Sequence, residues 1–194
     1  MNKFKIIVPL IFLLSCNSYY FPLLLETPKS IINSLKAYSP SEDYIQNQQY
    51  SFITVDMGQL NATLVLSTIE NGVFTWVGRD NVSIQTYKGI IIKTLGLEHN
   101  FEIIDPVNNI KDILSSQKQT LYYNFDNPKL YELKVLVKDF SQDINKISFT
   151  INAKDIDWRS KVSVTYSKNN LPNEVTQSLH PFYKSAKINF YYKY

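Results

Sequence analysis

Residues 71–105 of the chain read NGVFTWVGRDNVSIQTYKGIIIKTLGLEHNFEIID, and this pattern predicts three short strands joined by two tight turns. The first turn is Asn71-Gly72, because both residues tolerate the positive φ that the central positions of a type I′ hairpin require. It lies between two apolar runs, 64–69 and 73–77. Lys88-Gly89 is the second corner, where a Cβ on the glycine would cost roughly 1 kcal/mol or more. The stretch therefore predicts an antiparallel meander.

Apolar and polar residues also alternate along the second half of the chain. Tyr131, Leu133, Val135 and Val137 are predicted to lie on one face, with Glu132, Lys134 and Lys138 on the other. The same period of two recurs over 146–151 and 161–167. Such alternation is typical of strands with one buried and one solvated face. Further strands are predicted at 50–57, 62–69, 174–180 and 185–193. The fold class is therefore all-β, either an antiparallel meander sandwich or a partly closed barrel, and the pattern leaves both open.

Composition supports one β-rich domain in this chain of 194 residues. Aromatic residues make up 14% of it, with 14 Tyr and 11 Phe, whereas there are only 5 Gly. Aromatic side chains suit a pleated surface. A short N-terminal helix is predicted at 28–38, where Thr27-Pro28 provides a start signal, and 43–49 is predicted to be a polar loop. Residues 106–119 are predicted to form a short helix or an irregular crossover.

The N-terminus has the pattern of an export signal. Lys3 and Lys5 precede an apolar run at 6–14, which is too short to cross a hydrocarbon core of about 30 Å as a helix. Leu13-Leu14-Ser15-Cys16 resembles the bacterial lipobox, which implies cleavage before Cys16 and lipidation of that cysteine. The predicted organisation is a signal peptide at 1–15, a lipidated tether at 16–27 and a single β-rich domain at 28–194.

Charge and cysteine content exclude several classes of function. Removal of the predicted signal lowers the formal net charge from +3 to +1, so the mature chain has no basic field to attract nucleic acid. Cys16 is the only cysteine, so no intramolecular disulfide can stabilise the fold. Burial of apolar side chains must do so instead.

Residues that commonly carry catalysis or bind metals are sparse. The two histidines, His99 and His180, lie far apart in sequence and in no metal-ligand spacing, so no metal and no cofactor are expected. His99 is predicted to be a loop residue. Asp155 and Asp157 would face one side of a strand, as paired catalytic or metal-binding carboxylates do, but an exposed polar face is the favoured interpretation. We therefore expect a protein without enzymatic activity.

Aromatic side chains are the remaining candidates for contact with a ligand or partner. Trp76, Trp158, Tyr183 and Tyr191 could stack on sugar rings or contact another protein. The alternative is burial in the core, which is favoured for most of the rings because each can bury about 150–250 Å².

Several of these motifs, taken in order, resemble one known family. Trp76 and Asp80 followed by IQTYKGIIIKTLGL at 84–97, with YSFITVDMG at 50–58 upstream and TQSLHP at 176–181 downstream, resemble the YjbF/GfcB family of bacterial lipoproteins. Residues 90–92 depart from the family pattern, which often has an arginine there. The resemblance implies a non-enzymatic accessory protein of exopolysaccharide or group 4 capsule production or export.

The resemblance also implies a location and partners. Asn17 follows the predicted lipidated cysteine, and by resemblance to sorted lipoproteins this points to the outer membrane, with the protein facing the periplasm. The expected partners are the membrane, through acylated Cys16, and other proteins of the capsule or exopolysaccharide system, with the polysaccharide itself as a further candidate. The alternative is a periplasmic protein that binds or modifies a glycan.

Overall fold

The computed structural model of the chain describes residues 40–58, 61–115, 119–126, 130–183 and 185–193. The predicted signal peptide at 1–15, Cys16, the tether at 16–27 and the helix at 28–38 lie outside these residues.

Twelve antiparallel strands close into one barrel. The all-β prediction is therefore confirmed. Of the two predicted architectures, sandwich and partly closed barrel, the structure shows a barrel, and this barrel is closed. Around the barrel the order is β1-β12-β11-β10-β9-β8-β7-β6-β5-β4-β3-β2, so almost every strand pairs with its sequence neighbours. The strands are β1 (Phe52–Asp56), β2 (Asn61–Glu70), β3 (Val73–Val77), β4 (Ser83–Tyr87), β5 (Ile90–Leu95), β6 (Phe101–Ile103), β7 (Thr120–Phe125), β8 (Tyr131–Asp143), β9 (Lys146–Ala153), β10 (Trp158–Tyr166), β11 (Pro172–Gln177) and β12 (Ala186–Tyr191).

Both predicted hairpin turns are present. Asn71 and Gly72 have φ of 52° and 80°, and Lys88 and Gly89 have φ of 50° and 79°. Positive φ at both central positions is the type I′ geometry, whose twist matches that of the flanking strands. The turns place Val73 opposite Glu70 and Tyr87 opposite Ile90. The three predicted strands around them are β3, β4 and β5.

Two short strands, β6 and β7, were not predicted. With three residues, Phe101–Ile103, β6 is too short to show a period of two. In β7 the inward side chains Leu121, Tyr123 and Phe125 alternate with Tyr122 and Asn124, so an aromatic residue occupies an outward position and hides the alternation. Together these strands carry the sheet from β5 to β8 and close the barrel.

The structure describes two α-helices in addition to the strands. The prediction of a loop at 43–49 was wrong, because helix α1 (Glu42–Asn47) forms there. The Oγ of Ser41 accepts a hydrogen bond from the Tyr44 N–H at 3.2 Å and so caps the helix N-terminus. Two acidic residues in the first turn interact favourably with the helix dipole. Helix α2 (Pro106–Leu114) forms where a helix or crossover was predicted. Neither of these helices is long and apolar enough to span a membrane.

Two opposite walls of the barrel touch. Strands β5 and β11 are far apart in the ring, yet the Gln177 carboxamide accepts from the Ile91 N–H at 3.0 Å and donates to the Ile91 carbonyl at 2.9 Å. Because β6 is short and pairs with β5 only at Lys93, it does not reach Ile91, and Gln177 replaces the missing strand partner. Gln177 is fully buried.

The β4–β5 turn packs against the same opposite wall. A Cβ on Gly89 would lie 2.7 Å from Val164 Cγ1 and 2.8 Å from Pro172 Cβ, so only glycine fits at this position. This contact fixes the tip of the β4–β5 hairpin on β10 and β11. The strand directions place this tip at the end of the barrel that also holds α2, the β8–β9 turn and the β10–β11 turn.

Candidate functional site

Two of the four candidate aromatic residues, Trp76 and Tyr191, lie at separate places and do not share a site. Trp76 is fully buried in the barrel, where its Nε1–H donates to Thr86 Oγ1 at 3.0 Å. Its ring therefore has no exposed surface for stacking on a ligand. Tyr191 is half-buried and stacks on Phe52, with ring centroids 4.6 Å apart and planes 11° from parallel. Cys16, the predicted lipidation site, lies outside the described residues.

Tyr183 contacts both histidines, and Trp158 is linked to them through Phe125. We call His99, His180, Phe125, Phe182 and Tyr183 the histidine cluster. The imidazole rings of His99 and His180 are stacked, with centroids 4.8 Å apart and planes 11° from parallel. Phe125 packs edge-on against His180 at 4.7 Å, and Trp158 lies behind Phe125 at 6.0 Å.

The histidine cluster joins two loops at one end of the barrel. The His99 N–H of the β5–β6 loop donates to the Tyr183 hydroxyl of the β11–β12 loop at 2.8 Å. His180 Nδ1 accepts from the Phe182 N–H at 3.2 Å, which puts the ring proton of a neutral His180 on Nε2. His99 Nδ1 is buried and has no hydrogen-bond partner among the residues that the structure describes, whereas the Phe182 ring is largely exposed. The cluster thus links the two loops through aromatic packing and one hydrogen bond, and its Phe182 side is open to solvent.

Sequence spacing did not reveal this pairing. His99 and His180 follow β5 and β11, and the odd-numbered strands of an antiparallel meander end on the same side. That topological relation was the available signal. No group of three or more histidine, cysteine or acidic side chains suited to a metal ion occurs within the described ranges.

The alternative in which Asp155 and Asp157 face one side of a strand was wrong. Lys154–Ile156 forms a 3₁₀ turn, and Asp157 follows it in the left-handed conformation with φ of 47°. Both side chains are exposed. The residues therefore form the turn between β9 and β10 and not a carboxylate pair on a strand, which agrees with the favoured interpretation of a polar surface.

Burial perturbs a tyrosine beside Trp158. Tyr123 is almost fully buried, and its ring centroid lies 6.0 Å from that of Trp158. Because a buried phenolate would lose its hydration, burial raises the pKa of Tyr123 well above that of free tyrosine. Tyr123 therefore stays neutral and acts as a core residue.

A cleft of about 550 Å³ lies at the end of the barrel opposite the histidine cluster. We call it the turn-end cleft. Four segments form its walls: the β4–β5 turn, the C-terminal part of α2, the β8–β9 hairpin and the β10–β11 turn. Its lining residues are Lys88, Lys111, Leu114, Ser115, Gln142, Asp143, Ile144, Ile147, Tyr166, Asn170 and Pro172. Sequence analysis did not predict this cleft, because its lining comes from four separate segments.

The lining of the cleft contains two lysines and a tyrosine whose hydroxyl is hydrogen-bonded. Lys88 and Lys111 are exposed, and neither forms an ion pair with a carboxylate in the described part of the chain. Among the described residues of the lining, Asp143 is the acidic one. The Tyr166 hydroxyl donates to the Lys88 carbonyl at 2.8 Å, and burial raises the pKa of Tyr166 to about 12. Tyr166 therefore remains a neutral hydrogen-bond donor at physiological pH.

Comparisons with known proteins agree with the fold. A family model described as group 4 capsule polysaccharide lipoprotein GfcB, YjbF matches residues 26–170. The crystal structure of the hypothetical lipoprotein YmcC from Escherichia coli K12 is similar, with a TM-score of 0.60 and 16% sequence identity over 85% of this chain and 93% of that one. At that identity the likeness shows a shared fold. No curated protein matches the sequence.

Proposed function

We propose a function from one premise: this chain belongs to the YjbF family of group 4 capsule polysaccharide lipoproteins. We infer that it is an accessory lipoprotein that acts, without catalysing a reaction, in the production or export of capsule or exopolysaccharide. The family match over residues 26–170, which spans most of the chain, is the observation that carries this proposal. The expected partners are other proteins of the same system.

The second element of the proposal is the anchor. The motif Leu13-Leu14-Ser15-Cys16 supports acylation of Cys16 after signal cleavage, and Asn17 supports sorting to the outer membrane. Each buried CH₂ of an acyl chain contributes about 0.8 kcal/mol, so several chains on one cysteine would hold the protein at the membrane permanently. The barrel would then face the periplasm, where it could meet the polymer and its export proteins.

A non-catalytic role is consistent with how the chain uses its histidines. Both rings are packed against aromatic side chains and link two loops. Such packing stabilises the end of the barrel, and the arrangement suits a rigid scaffold that presents loops and turns to partners.

The proposal is tested by deletion and complementation in the source bacterium. Deletion of the gene should reduce surface polysaccharide or alter its placement, and the wild-type chain should restore it. A Cys16→Ser variant should fail to incorporate labelled palmitate and should leave the membrane fraction, whereas the neighbouring Ser18→Ala variant should behave as wild type. Unchanged surface polysaccharide after deletion would refute the accessory role. Palmitate labelling of the Cys16→Ser variant would refute the anchor.

A further inference from the structure

We propose that the turn-end cleft binds a short segment of an acidic polysaccharide, one whose sugars carry carboxylates. The inference rests on the proposed function only for the biological source of the glycan. The shape, chemistry and rigidity of the cleft support the site itself.

The size of the cleft suits a short oligosaccharide. Its volume of about 550 Å³ lies within the range of roughly 300–1,000 Å³ that is typical of small-ligand sites. It is bounded by exposed turns and the β8–β9 hairpin, where Ile144 is 95% exposed, so the cleft opens to solvent. A site of this kind can take an internal segment of a polymer, because the chain on either side can continue into solvent.

The neutral part of the lining matches the two kinds of surface on a sugar ring. Tyr166, Leu114, Ile147 and Pro172 supply apolar area against which the C–H faces of sugars can pack. Gln142 and Asn170 are exposed, and their carboxamides can both donate to and accept from hydroxyl groups. The lining therefore combines apolar walls with a few polar groups, as sugar recognition requires.

The charged part of the lining favours an acidic glycan over a neutral one. Neither the Lys88 nor the Lys111 ammonium group is paired with a described acidic side chain, and Lys88 Nζ lies 6.0 Å from the centroid of the Tyr87 ring, so both groups can bind carboxylates. Asp143 opposes them, which leaves two positive charges and one negative charge in the lining. A hydrogen bond to a charged group is worth roughly twice a neutral one, so carboxylates on the sugar would add affinity and orientation.

The cleft is also pre-formed. The Tyr166 hydroxyl holds the Lys88 carbonyl, and Gly89 packs against Val164 and Pro172 on the opposite wall. The β4–β5 turn, which carries Lys88, is therefore fixed relative to the β10–β11 turn. A pre-organised site loses less conformational entropy when a ligand binds.

Binding is tested with the full-length protein in detergent, with trigalacturonate as the acidic probe and maltotriose as the neutral one. Isothermal titration calorimetry should show binding of trigalacturonate that weakens as salt rises, and much weaker binding of maltotriose. A Lys88→Gln/Lys111→Gln variant should lose about tenfold or more in affinity for trigalacturonate. The matched control is Lys154→Gln, which removes one exposed charge at the other end of the barrel and should bind as wild type.

Three results would overturn the proposal. These are no binding of trigalacturonate, equal binding of both probes, or equal affinity of the double variant and the wild type. Circular dichroism of the double variant separates loss of the site from loss of folding, and both lysines are exposed, so we expect an unchanged melting temperature. Binding of a peptide partner at the cleft, with no binding of trigalacturonate, would likewise replace the glycan by a protein.

Failure of this inference can be distinguished from failure of the proposed function. If deletion lowers surface polysaccharide and the Lys88→Gln/Lys111→Gln variant restores it fully, the cleft is dispensable and the accessory role stands. If deletion leaves the polysaccharide unchanged while trigalacturonate still binds through the two lysines, the accessory role fails and the binding site stands.

Discussion

The buried carboxamide of Gln177 should be a main determinant of stability, and a Gln177→Leu variant tests this. Leucine has a similar size but cannot bond to the Ile91 N–H and carbonyl, which Gln177 contacts at 3.0 and 2.9 Å. Each buried backbone group left without a partner costs about 1–3 kcal/mol. After allowing for the apolar gain of leucine, we expect the free energy of unfolding to fall by about 2–5 kcal/mol.

The assay is equilibrium unfolding in urea, followed by the fluorescence of the buried Trp76 and Trp158. For a chain of this size the loss corresponds to a melting temperature lower by roughly 5–20 °C. Gln85→Leu is the matched control, because Gln85 makes a single long hydrogen bond of 3.4 Å to Thr75 Oγ1. It should change stability by less than about 0.5 kcal/mol.

A Gln177→Glu variant separates the hydrogen bonds from side-chain volume. An ionised glutamate can accept from the Ile91 N–H, but it repels the Ile91 carbonyl and loses hydration on burial. Its folded-state pKa should therefore lie above the unfolded value of about 4.3, so the variant should gain stability relative to Gln177→Leu as pH falls toward about 4. A Gln177→Leu protein whose free energy of unfolding lies within about 0.5 kcal/mol of the wild-type value would refute the role of the carboxamide.

Two further predictions concern packing and ionisation. Gly89→Ala should lower the free energy of unfolding in urea by about 2–4 kcal/mol, because the new Cβ would lie under 3.0 Å from Val164 and Pro172. Gly72→Ala, whose nearest contact would be 3.2 Å, should lower it by only about 1 kcal/mol. Equal losses in the two variants would contradict the packing argument. The free energy of unfolding should fall as pH rises above about 10, because tyrosines of the unfolded chain then release protons while buried Tyr123 in the folded chain keeps its own. The Tyr123→Phe variant should show a shallower fall, by up to about 1.4 kcal/mol per pH unit. An unchanged slope in pH-dependent unfolding would contradict this prediction.

The parts of the fold that local sequence determines were predictable. Asn71-Gly72 and Lys88-Gly89 specify their turns through backbone conformation, so β3, β4 and β5 were located correctly. Likewise the alternation in β8, β9 and β10 follows from one wet and one buried face. Helix α1 was missed because a single side-chain cap at Ser41 stabilises a polar segment that has no apolar period.

The parts that depend on distant residues were not predictable from local patterns. The stacking of His99 on His180 requires that two loops meet at one end of a closed barrel. The turn-end cleft requires four segments, and its floor depends on a hydrogen bond between Tyr166 and Lys88. Whether a ring such as Trp76 is buried or exposed also depends on closure of the sheet, which composition and period do not encode.

Closure of the barrel limits the ways in which this protein can associate with others. Each of the twelve described strands has a neighbour on both sides, and the Gln177 carboxamide bonds to Ile91 where β6 does not reach, so the described sheet leaves little open backbone edge for an incoming strand. This disfavours β-augmentation, in which a partner strand bonds to main-chain groups and many sequences are tolerated. Recognition must instead depend on side chains at the rims and on the outer wall, so single substitutions there should be able to separate one partner from another.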